Sequence, residues 1–172
     1  MASDGSLFPG ESWSFVTAGN VGATSQAVID ECMSDGDIEM LAQVNNARAA
    51  ARNCGDQPAG ATGPLVWHCT IDHAAQSHSD DMAGNNFFSH TGSDGSTVGD
   101  RLTNAGYPWQ SAGENIAAGQ MSVGEVMQGL LNSPGHCLNI MNSSFTEMGA
   151  ALSENPTSDF GRYWTQNFAR PR

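Results

Sequence analysis

The chain has 172 residues, 39% hydrophobic and 14% charged, which is enough for one buried core and too short for two comfortable ones. Its formal net charge is −12, all six basic residues are arginine, and no lysine occurs, so phosphate backbones and anionic headgroups are repelled and no basic run marks a nucleic-acid or electrostatic membrane partner. No apolar stretch approaches the ~18 residues needed for a transmembrane span, and 20 Gly with 7 Pro imply many turns.

Residues 1–33 show no sustained periodicity and mix Gly, Ser and Thr with isolated Trp13, Phe15 and Val16, so they are expected to form an irregular arm before a single domain over 34–172. They also lack a basic start followed by an apolar stretch. If the protein is exported, its signal peptide is expected to be absent here, with Met1 a start added to a mature fragment. Ser34-Asp35-Gly36-Asp37 then reads as a capping box, and Ile38, Leu41, Val44, Asn45 and Arg48 follow helical spacing, predicting a first helix over about Asp37–Arg52. Asn53-Cys54-Gly55 supplies its stop, Asp56–Pro64 is a Gly- and Pro-rich loop, and Leu65-Val66-Trp67 is a short apolar anchor. Thr70 is expected to cap a second helix with Ile71, Ala74, Ala75, His78 and Met82 on one face, ending at Gly84-Asn85-Asn86.

Phe87–Gly95 reads as a loop containing His90, and Thr97-Val98-Gly99-Asp100 opens a short helix to Ala105, closed by Gly106-Tyr107-Pro108. Gly113–Gly119 is a short extended segment, and Ser122-Val123-Gly124-Glu125 caps a helix through Val126, Met127, Leu130 and Leu131. Ser133 at a cap with Pro134 at the first helical position starts a separate helix over Pro134–Met141. Phe145–Leu152 and Arg162–Phe168 are predicted strands around a long loop, Ser153–Gly161, with Trp164 and Phe168 on one face.

Cys32, Cys54, Cys69 and Cys137 include no CxxC pair, which removes the main support for a zinc ribbon or a thioredoxin-like site. Two disulfides in an oxidising compartment are favoured over buried thiols of a cytosolic protein, and four Cys permit three connectivities.

Five segments match one family in order: Ser89-His90-Thr91-Gly92, Gly113-Glu114-Asn115-Ile116-Ala117, Asn132-Ser133-Pro134-Gly135-His136, Phe145-Thr146-Glu147-Met148-Gly149 and Tyr163-Trp164-Thr165-Gln166. Over about Asp37–Phe168 the chain resembles the bacterial SCP-like branch of the CAP superfamily, which includes cysteine-rich secretory proteins, antigen 5 and pathogenesis-related proteins. The resemblance implies an α+β fold, an α-β-α sandwich with a small antiparallel sheet between helices, exported to the extracellular space or periplasm. It implies a cleft carrying two His and two Glu, matched here by His90, Glu114 and His136, with Ser133 where many relatives place the second Glu. It also implies a Cys54–Cys137 disulfide, leaving Cys32 for Cys69. Leu130 departs from the Trp usual before the Asn-Ser-Pro-Gly-His segment, which affects one cleft wall.

The residues themselves leave alternatives open. His90 sits in a polar loop where exposure or function is expected rather than packing. Glu114 is either a cleft carboxylate, and so a candidate catalytic base, or a buried acceptor for loop amides. His136 stands in a first helical turn, where the dipole favours a neutral ring suited to metal ligation or hydrogen bonding, or it caps the turn against Glu114. Glu125 is explained by its capping position, and His78 by a place in the core, while His68 and His73 lie near their helix start. Asp94-Gly95-Ser96 lacks the further acidic positions of a calcium loop, and no Gly-x-Ser-x-Gly elbow is present.

The favoured function is an exported binding module recognising a lipid, sterol, cell-wall component or protein without turnover. The alternative is a metal-assisted hydrolase with Zn²⁺ on His90 and His136 and Glu114 as base, and a third is a polar lock between helix and sheet.

Overall fold

A computed structural model describes residues 20–172. Trp13, Phe15 and Val16 therefore lie outside the described residues. The arm expected to be irregular ends in a helix, α1 (Gln26–Cys32), capped by the Ser25 hydroxyl accepting from the Val28 amide. No residue of α1 is fully buried, so no apolar stripe announced it. Helix α2 (Asp35–Arg48) begins at the expected capping box, with Ser34 and Asp37 bonding each other's amides. It stops four residues before Arg52, because Arg52–Cys54 turns out as strand β1, paired with β2 (Gln57–Ala59) across Gly55 at φ 62°. This small hairpin replaces the start of the predicted loop.

Two polar side chains of α2 stitch the loops together. Asn45 bonds both the amide and the carbonyl of Leu65, and the buried Arg48 donates to the carbonyls of Gly63, Ile140, Asn142 and Phe145. Burial lowers the Arg48 pKa to about 10, and its charge is kept by those four acceptors. Helix α3 (Cys69–Asn85) is capped by His68, whose Nδ1 accepts from the Thr70 amide, and not by Thr70 itself. Helices α4 (Val98–Asn104), α5 (Val123–Asn132) and α6 (Pro134–Ile140) follow, capped by Thr97, Ser122 and Ser133.

A four-stranded sheet runs in the order β3 (Val66–Trp67), β5 (Glu147–Glu154), β6 (Arg162–Pro171), β4 (Trp109–Ala118). The two-residue β3 joins β5 in parallel and the longer pairs are antiparallel. Alternation along β6 divides the core. Trp164, Gln166 and Phe168 face α2, α5 and α6 with Met40, Met127 and Ile140, while Tyr163, Thr165 and Ala169 face α3 and α4 with Ile71, Met82 and Leu102. The result is an α-β-α sandwich of the α+β class. Disulfides Cys32–Cys69 and Cys54–Cys137 tie α1 to α3 and the β1–β2 hairpin to α6.

Candidate functional site

Strand β4 is a sheet edge, and the apolar residues Ile116, Ala117 and Ala118 near its end form the floor of a cleft of about 610 Å³. The loop after α3 brings Phe88, Ser89 and His90 to one side. From the other layer come Val126, Gly129 and Leu130 of α5, then Ser133 and His136. Phe160, from the loop between β5 and β6, completes the mouth. The cleft thus joins both helical layers around the sheet edge. Its lining is mostly apolar, interrupted by the imidazoles of His90 and His136, the hydroxyls of Ser89 and Ser133 and the amide of Gln120, and its size is that of a small-molecule site.

Glu114 lies behind this lining rather than in it. Its side chain is 3% exposed, and it accepts from Arg101 Nη2 at 2.7 Å on Oε2 and bonds His90 Nδ1 at 2.9 Å through Oε1. Asn167, its cross-strand partner, donates to Oε2 at 3.1 Å in the amide orientation that satisfies both ends of that side chain. Arg101, on α4, also donates to the carbonyls of Ser96 and His90. One guanidinium therefore holds both the carboxylate and the backbone of the residue that the carboxylate orients. The carboxylate is a positioning group for His90, with its acceptor sites already occupied.

His78, fully buried, sits 3.8 Å from Glu114 Oε1 and donates from Nε2 to the Ser89 carbonyl at 2.9 Å. Burial lowers its pKa, against the opposing pull of Glu114, so the ring is neutral and pins the His90 loop. The core role expected for His78 is what the geometry gives.

His136 stands opposite. Its Nδ1 bonds Ser133 Oγ at 2.9 Å, so the cap serine serves the imidazole and makes no bond to the helix amides. Burial, then the neighbouring His90, lower the His136 pKa below its usual 6.5, which leaves a neutral ring near pH 7. The alternative of His136 capped against Glu114 does not occur, since Glu114 is taken by Arg101 and His90.

Of the expected set, His90, Ser133 and His136 meet on the cleft and Glu114 supports from behind. Glu125 is elsewhere: its carboxylate accepts from the Met121 amide, one residue before the cap it was expected to box. Arg101, Asn167, Phe88 and Phe160 were not singled out. An Arg beside a leucine in a short capped helix of a lysine-free chain was the available signal for Arg101.

The residues present do not fit a zinc centre. Among the described residues no three His, Cys, Asp or Glu side chains converge to hold a metal. The cleft offers two imidazoles, and the nearest carboxylate is committed to a guanidinium.

The sequence matches the profile of the Cysteine-rich secretory protein family (CAP) over residues 41–168. It is 36% identical over 105 residues to the uncharacterized protein YkwD of Bacillus subtilis (strain 168), covering 61% of this chain and 39% of that one. Among solved structures it is similar to an extracellular protein containing a SCP domain from Bacillus anthracis str. Ames, with TM-score 0.64 and 30% identity over 87% of this chain and 45% of that one. An outer surface protein from Borrelia burgdorferi shares the fold, with TM-score 0.58 and 21% identity over 64% of this chain and 80% of that one. The chain spans less than half the length of the two Bacillus proteins.

Proposed function

The chain belongs to the Cysteine-rich secretory protein (CAP) family, and from that premise we propose that it is an exported binding module whose cleft takes an uncharged, lipid-like molecule. The observation that carries this reading is the division of the cleft. Ile116, Val126, Leu130, Phe88 and Phe160 make most of its lining apolar, while Ser133 bonded to His136, with His90 close by, supplies a polar cluster. Such a cleft matches a molecule with an apolar tail and a hydrogen-bonding head. An anionic head is disfavoured because His136 is held neutral and the chain carries a formal net charge of −12, and a cationic head finds no carboxylate on the lining, since Glu114 is committed to Arg101 and His90 behind it.

Export is supported by two disulfides and by the extracellular B. anthracis protein similar to this chain. A metal-assisted hydrolase has less support, because His90 and His136 make an incomplete ligand set and Glu114 lacks a free oxygen for water activation.

Gly129 provides the test. A Cβ built on it meets nothing within 4 Å, and it lines the cleft, so Gly129→Trp adds bulk to the cleft edge without entering the core. Calorimetric titration with 1-monocaprin near neutral pH is expected to show binding by the native protein and about tenfold weaker binding by the variant, at equal thermal stability. Equal binding by the two proteins, or none by the native one, would refute the assignment.

A further inference from the structure

Two walls of the cleft can be followed residue by residue, and they agree on what lies at each end. Strand β4 carries Glu114 and Asn115, then the floor Ile116, Ala117 and Ala118, after which Gly119 at φ 91° leads to Gln120. The His90 ring is bonded to the Glu114 carboxylate at 2.9 Å, and the His136 carbonyl accepts from Asn115 Nδ2 at 3.2 Å, so both histidines are tied to the start of the floor. Gln120 stands past its other end. Helix α5 runs back the other way: it starts shortly after Gln120, lines the cleft with Val126, Gly129 and Leu130, and ends at Ser133, which bonds His136. The strand advances ~13 Å from Glu114 to Ala118, and the 10 residues of α5 rise ~15 Å, so the two walls give one span between the histidines and Gln120.

The polar side chains at the histidine end are bonded within the protein. Ser89 Oγ accepts from the Thr91 amide, His90 meets Glu114, and Ser133 meets His136. Gln120 differs. It lines the cleft, yet its Oε1 is closed off from solvent and meets no donor among the described residues. A carbonyl oxygen withdrawn from water without a partner is a standing cost, which a molecule supplying the missing hydrogen bond removes.

The backbone around it is fixed. The Gly119 amide donates to the Arg162 carbonyl, the Gln120 carbonyl accepts from Trp164 Nε1 at 3.1 Å, and the Met121 amide and carbonyl are taken by Glu125 and Arg162. Only side-chain torsions are left to turn the amide toward a ligand, so little ordering is needed when one arrives. A primary amide carries a donor and an acceptor on one flat group, and a hydroxyl, which is both, pairs with it whichever way it turns. A carboxylate at this end would find Arg162 already paired with Glu154.

We infer that Gln120 is a second polar contact of the cleft, and that the ligand is an uncharged chain molecule with a hydroxyl at each end, one at the two histidines and one at Gln120. The inference rests on the cleft being a site for an uncharged, lipid-like molecule and adds the far hydroxyl to it.

1,10-Decanediol and 1-decanol share one chain and differ in the second hydroxyl, and the oxygens of the extended diol lie about as far apart as the two ends of the cleft. Calorimetric titration of the native protein and of Gln120→Leu gives the ratio of the two affinities in each. Leucine cannot pair with the far hydroxyl but packs on a methyl end, so the preference for the diol over decanol is expected to fall about tenfold in the variant. In the native protein the side-chain amide NMR signals of Gln120 should move with the diol and hold their place with decanol, a readout that needs no substitution. Native protein that takes 1-monocaprin but refuses the diol, an unchanged ratio in folded Gln120→Leu, or Gln120 signals that respond alike to both alcohols would overturn the second contact and leave the cleft assignment standing. Native protein that takes neither alcohol nor monocaprin would overturn both. A preference for the diol that depends on Gln120, without any monocaprin binding, would sustain the two-ended ligand and overturn the one-headed one.

Discussion

Glu114→Ala would strand the guanidinium of Arg101, whose side chain is 6% exposed, without its carboxylate. Removing one partner of a buried pair costs about 3–5 kcal/mol, far more than the pair itself contributes, because the remaining charge stays desolvated. Urea denaturation should therefore show a loss of that order, with Glu114→Gln milder because an amide oxygen still accepts from Arg101. A loss under about 1 kcal/mol for Glu114→Ala would mean that the carboxylate is not the anchor its contacts describe. At this scale the sequence was partly legible. Motif order picked out His90, Glu114 and His136, but the carboxylate of Glu114 accepts from the side chains of Arg101, His90 and Asn167 and from no loop amide, which neither alternative for it anticipated. Arg101 and Asn167 stayed hidden because a side chain that reaches a site across a helix or a strand pair leaves no local spacing to read. The neutral His136 was expected from its place in a first turn, but burial and then His90 are what lower its pKa.

The elements most legible in the chain were those that announce their own starts. Ser34 with Asp37 and Thr97 with Asp100 both form the reciprocal bonds that their spacing promised, since a capping box is a contact between neighbours in sequence. Other elements were less visible: the short β1–β2 hairpin, although its pairs are close in sequence, reads as a loop, and β4 extends to Trp109 because β6, distant in sequence, pairs with it that far. The approach of α3 to the sheet belongs to this second kind. A Cβ on Gly149 of β5 would lie 2.2 Å from the Asp72 amide nitrogen and 2.6 Å from the Ile71 carbonyl carbon, so the helix backbone rests directly on the glycine. No side-chain rotation relieves such an overlap, and α3 must lift from β5. Gly149→Ala is thus expected to cost about 3 kcal/mol, at the upper end for overpacking, measured as a lowered urea midpoint. Gly129→Ala, in open space on α5, serves as the control and should stabilise slightly. If Gly149→Ala matched that control, the close seating of α3 would be wrong.

Across the whole molecule, the two disulfides close loops of different length and do different work. Cys54–Cys137 spans a sequence separation of 83 and joins the hairpin to α6, the helix that carries His136 next to Cys137. Cys32–Cys69 spans 37 and holds α1, which buries no residue completely. Chain entropy alone makes the longer loop the more stabilising by only about 0.7 kcal/mol, because the dependence is logarithmic. The native state widens that difference: Cys54 and Cys137 are both 0% exposed within the main core, whereas Cys32 is only half-buried at its edge. Replacing Cys54 and Cys137 together with Ser should cost roughly 2–5 kcal/mol, and replacing Cys32 and Cys69 together should cost less. Paired replacement avoids leaving a lone thiol to exchange. Urea denaturation of both double variants gives the ranking, and the imidazole NMR signals of His136 give the local consequence. With the Cys54–Cys137 tie removed, the first turn of α6 is free to shift relative to β4, so the His136 signals should move while those of His73, exposed on α3, stay in place. Equal losses from the two pairs, or a His136 environment untouched by removal of the adjacent bond, would show that the hairpin tie does not help to hold the cleft.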